Sequence, residues 1–392
     1  MSHANKNEVF IVSYSRTPIG SFRGQLSKLT VSDLGSLSIK SAITKAGITP
    51  EDVDEVFMGH VLSAGCGQTP ARQAALKAGL PHRVPCTGIN KVCASGMKSA
   101  IFAAQSIMLE LNDVVIAGGM ESMSNTPFII PRGEIPYGGL KLTDSLVFDG
   151  LTDSFNNLHM GNCAELLTKK FNISREEQDE YAKLSYSRAQ KATADGILSK
   201  EIVPVTVPGR RGEAGLVIDK DEELGKADFS KFSSLKPVFG ESITAANASS
   251  LNDGAAAMVL MSSKALAKYG CKPLAKIVSY ADASLDPIDF GIAPSLAIPK
   301  ALERAGLSKE QIARFEINEA FSVVALANMK SLSIDRTNVN IHGGAVGLGH
   351  PLGMSGTRIV GTMAVNMQSG EYGLASACNG GGGASAMLIQ RV

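Results

Sequence analysis

The sequence has no tryptophan, and phenylalanine and tyrosine bring its aromatic share to only 5%. That is too little for a platform on which nucleobases stack. A surplus of one charge is also missing: 38 basic residues against 37 acidic leave a net charge of +1, so the composition describes no polyanion-binding surface. Six cysteines are spread over the chain, none in CxxC or other metal-ligand spacing, which excludes a disulfide framework and points to reduced thiols. No apolar run approaches the roughly 18 residues of a membrane span. The opening MSHANKNEVFIVSYSRTP carries neither an apolar signal core nor a long Arg-rich leader. Nucleic acid and membrane are therefore excluded as partners. The cytoplasm is the expected compartment, with the mitochondrial matrix as the alternative because a transit peptide can be removed before this numbering begins.

What is present is a globular composition, 44% hydrophobic and 19% charged over 392 residues, enough for two or three domains. Glycine is over-represented: 40 residues, about 10% against a usual ~7%. The glycines concentrate in HGGAVGLGHPLGMSG (342–356) and CNGGGG (378–383). They suit tight turns, or the close approach of backbone to a ligand.

The chain also repeats itself. KSAITKAGITPEDVDEVFMGH (40–60) matches KALERAGLSKEQIARFEINEA (300–320). Each reads as a helix stopped at Gly47 or Gly306, a cap at Thr49 or Ser308, then a strand. CASGMKSAIFAAQSI (93–107) parallels GMSGTRIVGTMAVNM (353–367), and DVVIAGGMESM (113–123) parallels YGLASACNGGG (372–382). Three matches in one order argue for duplication. The runs VFIVS, VVIAG, AKIVS and GLASA predict α/β architecture with strands buried on both faces. Residues 124–247 lack the repeat and are dense in Pro, Gly and charge, including a charged amphipathic helix over 174–196. They read as an insertion that closes over a ligand.

Four side chains stand out for chemistry. Cys93 opens an apolar helix, where the dipole and free N–H groups lower a thiol pKa; the alternative is an inert packed cysteine. His350 in GLGHPLG is a general base or an idle loop histidine. Cys378 in SACNGGGG holds a proton beside glycine N–H groups that suit an oxyanion hole. Asn318, with Glu319 in FEINEAF, holds a water, orients an imidazole or simply forms a turn. Together, two thiols, an imidazole and an amide fit acyl transfer through a thioester with carbon-acid chemistry alongside.

NKVCASGMK, GGMESMSN, NEAF, GGAVGLGHPLGMSGTR and CNGGGGASAML together resemble the thiolases over essentially the whole chain, most nearly the biosynthetic-type acetoacetyl-CoA thiolases. The resemblance implies a duplicated thiolase fold, two βαβαβαββ halves in a five-layer αβαβα arrangement with an inserted loop domain. On this chain that gives 1–123 for the first half, 124–247 for the loop domain, 248–272 returning to the first half, and 273–392 for the second.

It also implies reversible condensation of two acetyl-CoA to acetoacetyl-CoA and CoA, without a redox cofactor. Cys93 would be acetylated and His350 would accept its proton. Cys378 would take the methyl proton of the second acetyl-CoA. Asn318 would hold a water that forms one oxyanion hole with His350, and the N–H groups of Cys93 and Gly380 would form the other. Coenzyme A would contact Tyr186, Lys226, Ala227, Asp228, Lys231 and Ser249, with His159 and Met160 near the thioester and Phe321 closing a short acyl pocket with Met160. A likeness to the potassium-activated mitochondrial-type branch implies K⁺ held by Tyr186, Ala245, Ala246, Ala248 and Val346. Family members that accept a 2-methyl branch face it with Phe-Pro, and here the pair is Phe290 and Gly291. A homotetramer, a dimer of dimers, is implied by resemblance alone. The rival readings are a degradative 3-ketoacyl-CoA thiolase, an idle CoA-binding subunit, and a redox role through a Cys93–Cys378 disulfide.

Overall fold

The computed structural model describes residues 7–209 and 214–392; residues 1–6 and 210–213 lie outside the described residues. Ten strands form one mixed sheet: β1 (Val9–Arg16), β2 (Gly20–Ser21), β3 (Glu55–Gly59), β4 (Cys86–Ile89), β5 (Val114–Ser122), β6 (Asn252–Ser262), β7 (Ala275–Ser284), β8 (Ile312–Ile317), β9 (Tyr372–Asn379) and β10 (Gly383–Arg391). Their order is β8-β9-β10-β7-β1-β6-β5-β3-β4, with β2 beside β6. The expected duplication is visible in that order. Strands β3 and β8, β5 and β9, β6 and β10, and β1 and β7 hold equivalent places on either side of the β1–β7 pairing, where Val9 meets Ile277 and Ile11 meets Ala275.

The helices follow the repeat. Helix α1 (Val31–Ala46) ends at Gly47 in the left-handed conformation, and a short turn with Thr49 in a capping box leads to β3. Helix α7 (Pro294–Ala305) ends at Gly306 in the same way, and Ser308 caps the turn into β8. Between them in the chain come α2 (Pro70–Lys77), α3 (Ser95–Met108), α4 (Met160–Phe171), α5 (Arg175–Ala194) and α6 (Ser263–Tyr269); α8 (Ser322–Leu332), α9 (Ala345–Leu348) and α10 (Leu352–Asn366) complete the set. Helices α3 and α10 pack on each other and on strands of both halves, while α1 and α2 cover the outer face of the first half and α7 that of the second. This is the expected five-layer arrangement. The α3/α10 layer is close-packed because it lacks side chains where backbones meet: a Cβ on Gly119 would stand 1.9 Å from the Gly353 carbonyl, and one on Gly96 2.5 Å from Thr357 Oγ1. Helix α10 is buried on every side from Leu352 to Ala364, as a helix inside a large core must be.

Strand β7, the AKIVS run, departs from the expected burial on both faces. Ala275, Ile277, Ser279, Ala281 and Ala283 are buried, but Lys276, Val278, Tyr280 and Asp282 between them are only half-buried. One face lies under α7, with Ser279 Oγ donating to Ala301 O at 2.6 Å. A bulge between Ile277 and Ser279 switches the faces, so Ala275 and Ile277 join the core beside α10 while Ala281 and Ala283 pack under α7. Beyond the bulge, Tyr280 and Asp282 on the α3 side meet Met108, Lys98 and Lys91.

Among the described residues the stretch between β5 and β6 adds no strand to the large sheet beyond a single bridge from Ile202 to Arg16; it holds three two-stranded ribbons, α4 and α5. Helix α5 starts at a Ser174/Glu177 capping box. Its buried face is largely polar and aromatic: Gln178, Asp179, Tyr181, Ser185 and Tyr186. The stretch is tied to β1 by the fully buried Arg16, which reaches Glu201 at 2.6 Å and Asp221 at 2.7 Å. Among the described residues no helix is long and apolar enough to cross a membrane.

Candidate active site

The turns at the C-terminal ends of the strands converge on one cavity of about 350 Å³, lined by Cys93, His350, Gly380, Met160, Phe321 and Ser249 among others. Cys93 comes from the turn between β4 and α3. Val92 there adopts φ +47°, a strained conformation for a β-branched residue. Its N–H donates to Asn90 Oδ1 at 3.0 Å and its carbonyl accepts from Ser95 Oγ at 2.6 Å. Cys93 thus precedes the first residue of α3 by two positions.

The sequence reading expects a lowered thiol pKa at this helix start, and the structure reverses the sign. Burial among Val61, Leu62, Met123, Leu146 and Leu352 pushes the Cys93 thiol up to about 12, against the smaller opposite pull of the Gly380 N–H and its own. Desolvation outweighs the helix end. Cys378, fully buried near the end of β9, is raised further by burial and by its neighbour Cys93. At neutral pH both are thiols.

His350 follows Gly349, whose φ of +107° brings the backbone against Asn252; the His350 N–H donates to Asn252 Oδ1 at 2.8 Å. Burial, helped by Arg358, pushes the imidazole down to about 3, so it is neutral. Its tautomer can be read from its neighbours. Ser355 Oγ donates to the Pro351 carbonyl at 3.0 Å and lies 2.6 Å from His350 Nδ1. The hydroxyl proton being spent, Nδ1–H is the donor to Oγ, which leaves Nε2 a free base.

Nε2 lies 3.4 Å from the Asn318 amide nitrogen. Asn318 is fully buried, and its Oδ1 has no partner among the described residues. The neighbouring Glu319 is saturated by Tyr181, Ser185, Asn340 and the Val346 N–H. The Gly380 turn runs between the Cys93 loop and Met160: a Cβ on it would lie 3.5 Å from Val92 and 3.9 Å from the Met160 sulfur. A neutral thiol, a neutral base and an N–H donor therefore share one apolar pocket, with a second thiol and an amide behind its wall.

Residues 9–264 match the model of the thiolase N-terminal domain, and 271–391 that of the thiolase C-terminal domain. The chain belongs to the thiolase family. Among its relatives, the mitochondrial acetyl-CoA acetyltransferase of Danio rerio is 60% identical over 98% of this chain and 92% of its own length. That of Homo sapiens is 56% identical over 100% and 92%. A thiolase from Ascaris suum, crystallised in complex with coenzyme A, superposes with a TM-score of 0.95 at 47% identity, over 98% of this chain and 100% of its own.

The other residues expected at a thiolase site divide between two places. His159, Met160, Ser249, Phe321 and Ala248 line the cavity. His159 stacks on Phe239 at 4.4 Å and accepts from the Gly161 N–H, fixing the start of α4. Ser249 donates to Ala320 O through both its N–H and its hydroxyl. Lys226, Ala227, Asp228 and Lys231 lie on a turn that does not line the cavity; Lys226 donates to Ser21 Oγ, and Lys231 pairs with Asp228 at 3.0 Å. That turn is joined to Tyr186 by Phe229 and Phe232, whose rings meet the phenol edge-on at 6.3 and 5.9 Å.

Of the five residues expected around a potassium ion, Tyr186, Ala246 and Val346 share one buried cluster; Ala245 is exposed and Ala248 pairs with Phe321. Burial and the charges of Glu223 and Glu319 push the Tyr186 hydroxyl up to about 12, so its oxygen sits in negative potential. Among the described residues no group of three or more His, Cys, Asp or Glu side chains could hold a metal. Sequence reasoning passed over Ser355 and Asn252, which orient His350. The only signal for Ser355 was a hydroxyl five residues beyond a candidate base.

Proposed function

We propose that the chain is an acetyl-CoA C-acetyltransferase that condenses two acetyl-CoA reversibly to acetoacetyl-CoA and CoA. The observation that carries this is the neutral Cys93 thiol, free-base His350 Nε2 and Gly380 N–H on one cavity closed by Met160 and Phe321. The Cys93 proton passes to His350 Nε2 as the sulfur attacks the thioester carbonyl. The tetrahedral oxyanion takes the Cys93 and Gly380 N–H groups. Coenzyme A leaves with the proton of Cys378. Acetyl-Cys93, an imidazolium and a Cys378 thiolate remain.

That thiolate removes the methyl proton of the second acetyl-CoA. The enolate oxygen is stabilised by protonated His350 and a water held by the unpartnered Oδ1 of Asn318. The new C–C bond forms at the acetyl carbonyl, and Cys93 leaves by recovering its proton from His350. All three groups return to their neutral forms, in keeping with the pKa directions.

Lys226 and Lys231 suit the phosphates of coenzyme A as it crosses the insertion, with Tyr186, Ala227 and Asp228 shaping that turn. Residues 124–247 act as the loop domain, 1–123 with 248–272 as the first half and 273–392 as the second. The Tyr186 phenol and the carbonyls of Ala245, Ala246, Ala248 and Val346 are hard oxygen ligands that suit K⁺, which would brace the loop beside Ser249. The exposed apolar residues Phe128, Ile130, Ile135, Tyr137 and Leu142 favour the homotetramer. The mitochondrial names of the relatives favour the matrix over the cytoplasm.

The experiment is CoA-dependent cleavage of acetoacetyl-CoA beside a long-chain 3-ketoacyl-CoA, in potassium and in sodium, with acetyl label sought on Cys93. Rapid loss of the short substrate alone, with label on Cys93, supports the reading. Equal use of the long substrate would move the chain to the degradative class, and no label on Cys93 would leave an idle CoA-binding protein.

A further inference from the structure

Lys91, two residues before Cys93, sends its side chain away from the cavity into the second half of the molecule. Its ammonium meets three acceptors: Asp282 Oδ1 at 2.7 Å, Ser385 Oγ at 2.8 Å and the Ala384 carbonyl at 3.1 Å. That uses all three of its donors. Ser385 Oγ in turn donates to Asp282 Oδ1 at 2.6 Å. The other carboxylate oxygen, Oδ2, takes Lys98 at 2.6 Å, from the first turn of α3.

The acceptors are not arbitrary. Asp282 on β7 stands opposite Ser385 on β10, and Ala384 stands opposite Cys378 on β9. Lys91 therefore joins the loop that carries the nucleophile to the strand that fixes both Cys378 and the turn of Gly380. We propose that Asp282 is a positioning residue which, through Lys91 and Lys98, holds the Cys93 sulfur in register with the Gly380 N–H and Cys378. The inference rests on the acyl-transfer reading of that site.

Two observations show why such a clamp is needed. Val92 is held at φ +47°, and a strained residue keeps its place only when its surroundings over-determine it. The two turns also come from opposite halves of the chain, so no local hydrogen bond sets their separation. Burial alone would raise the Asp282 carboxyl, but the bonds from Lys91, Lys98 and Ser385 hold it down at about 2. Lys91 is shifted down by its own burial, against the pull of that carboxylate. The side chains remain partly open to solvent, 24% for Lys91 and 37% for Asp282, and pairs of that kind add little to stability. What the cluster supplies is geometry.

The test uses the full-length protein as Asp282→Asn, Lys91→Met and the double variant, with three readouts. The rate of acetyl transfer from acetyl-CoA to Cys93 should fall roughly ten- to a hundredfold in each single variant, the size of effect expected from misplacement near 1 Å. The double variant should be no slower than the worse single. The final label should still reach one acetyl group per chain. Singles within twofold of the parent, or losses that multiply in the double, would overturn the clamp. So would a reduced final label at unchanged rate, which is the mark of a folding defect alone. The third readout is alkylation of Cys93 by iodoacetamide at fixed pH, severalfold slower in the variants because the thiolate loses the Gly380 N–H. If the parent takes no acetyl label, the functional reading fails, and alkylation still decides the clamp: equal rates in parent and variants refute it.

Discussion

Replacing Ser355 by alanine separates what the imidazole needs to exist from what it needs to act. Ser355 Oγ is the acceptor of His350 Nδ1–H at 2.6 Å in a buried site. Without it a buried N–H loses its partner, at a cost of about 1–3 kcal/mol in stability. The rate depends on a second quantity. When His350 takes the proton of Cys93 it becomes an imidazolium, and a hydrogen bond from a charged donor is about twice as strong as a neutral one. The bond is thus worth more in the transition state than at rest. A difference of about 1–2 kcal/mol corresponds to roughly 5- to 30-fold in kcat. The tautomer preference is lost with it, since nothing then holds the proton on Nδ1. The assay is steady-state cleavage of acetoacetyl-CoA beside a urea titration of the same variant. An unchanged kcat alongside that loss of stability would show that the Ser355 bond serves the fold alone and that His350 finds its tautomer unaided.

Three further outcomes follow from the same geometry. Between pH 6.5 and about 3, stability should fall as the solution becomes more acid, because the unfolded His350 binds a proton that the folded one refuses; between pH 9 and about 12 it should fall as pH rises, because unfolded Cys93 ionises first. Denaturant midpoints across those windows check both signs, and His350→Asn should flatten the acid limb. Gly291→Ala would place a Cβ 2.7 Å from Leu167 Cδ2 and 3.1 Å from Val324 Cγ2, so it should cost about 1–3 kcal/mol and shift Phe290; thermal denaturation and turnover of 2-methylacetoacetyl-CoA read these effects. Phe321→Ala opens the apolar end of the cavity and should raise kcat/KM for a six-carbon 3-ketoacyl-CoA relative to acetoacetyl-CoA.

Much of this architecture is legible in the residues because its signals are local. Gly47 and Gly306 stop helices, Thr49 and Ser308 start turns, and the apolar runs name the strands. The glycines of 342–356 and 378–383 mark the backbone of the site. What escapes a reading of the sequence depends on partners far along the chain. The thiol of Cys93 goes up instead of down because Leu146 and Leu352 desolvate it. The alternating exposure of β7 depends on a bulge after Ile277 and on how little of α3 covers Tyr280 and Asp282. Asp282 carries no motif, and its meaning appears only when β7 and β10 are brought beside Lys91.

The position of β1 bears on how the molecule can be made. Val9 is paired with Ser262 on one side and Ile277 on the other, partners that a ribosome adds some 250 residues later. At 5–20 residues per second that is a delay of roughly 10–50 s. Throughout it, an apolar strand destined for the centre of the sheet has neither neighbour. The first half cannot close until β6 has been made, and roughly 130 residues of the chain are still to come at that point. Its earliest strand is also the seam on which the second half is later assembled, so one edge of β1 stays unpaired until β7 is added.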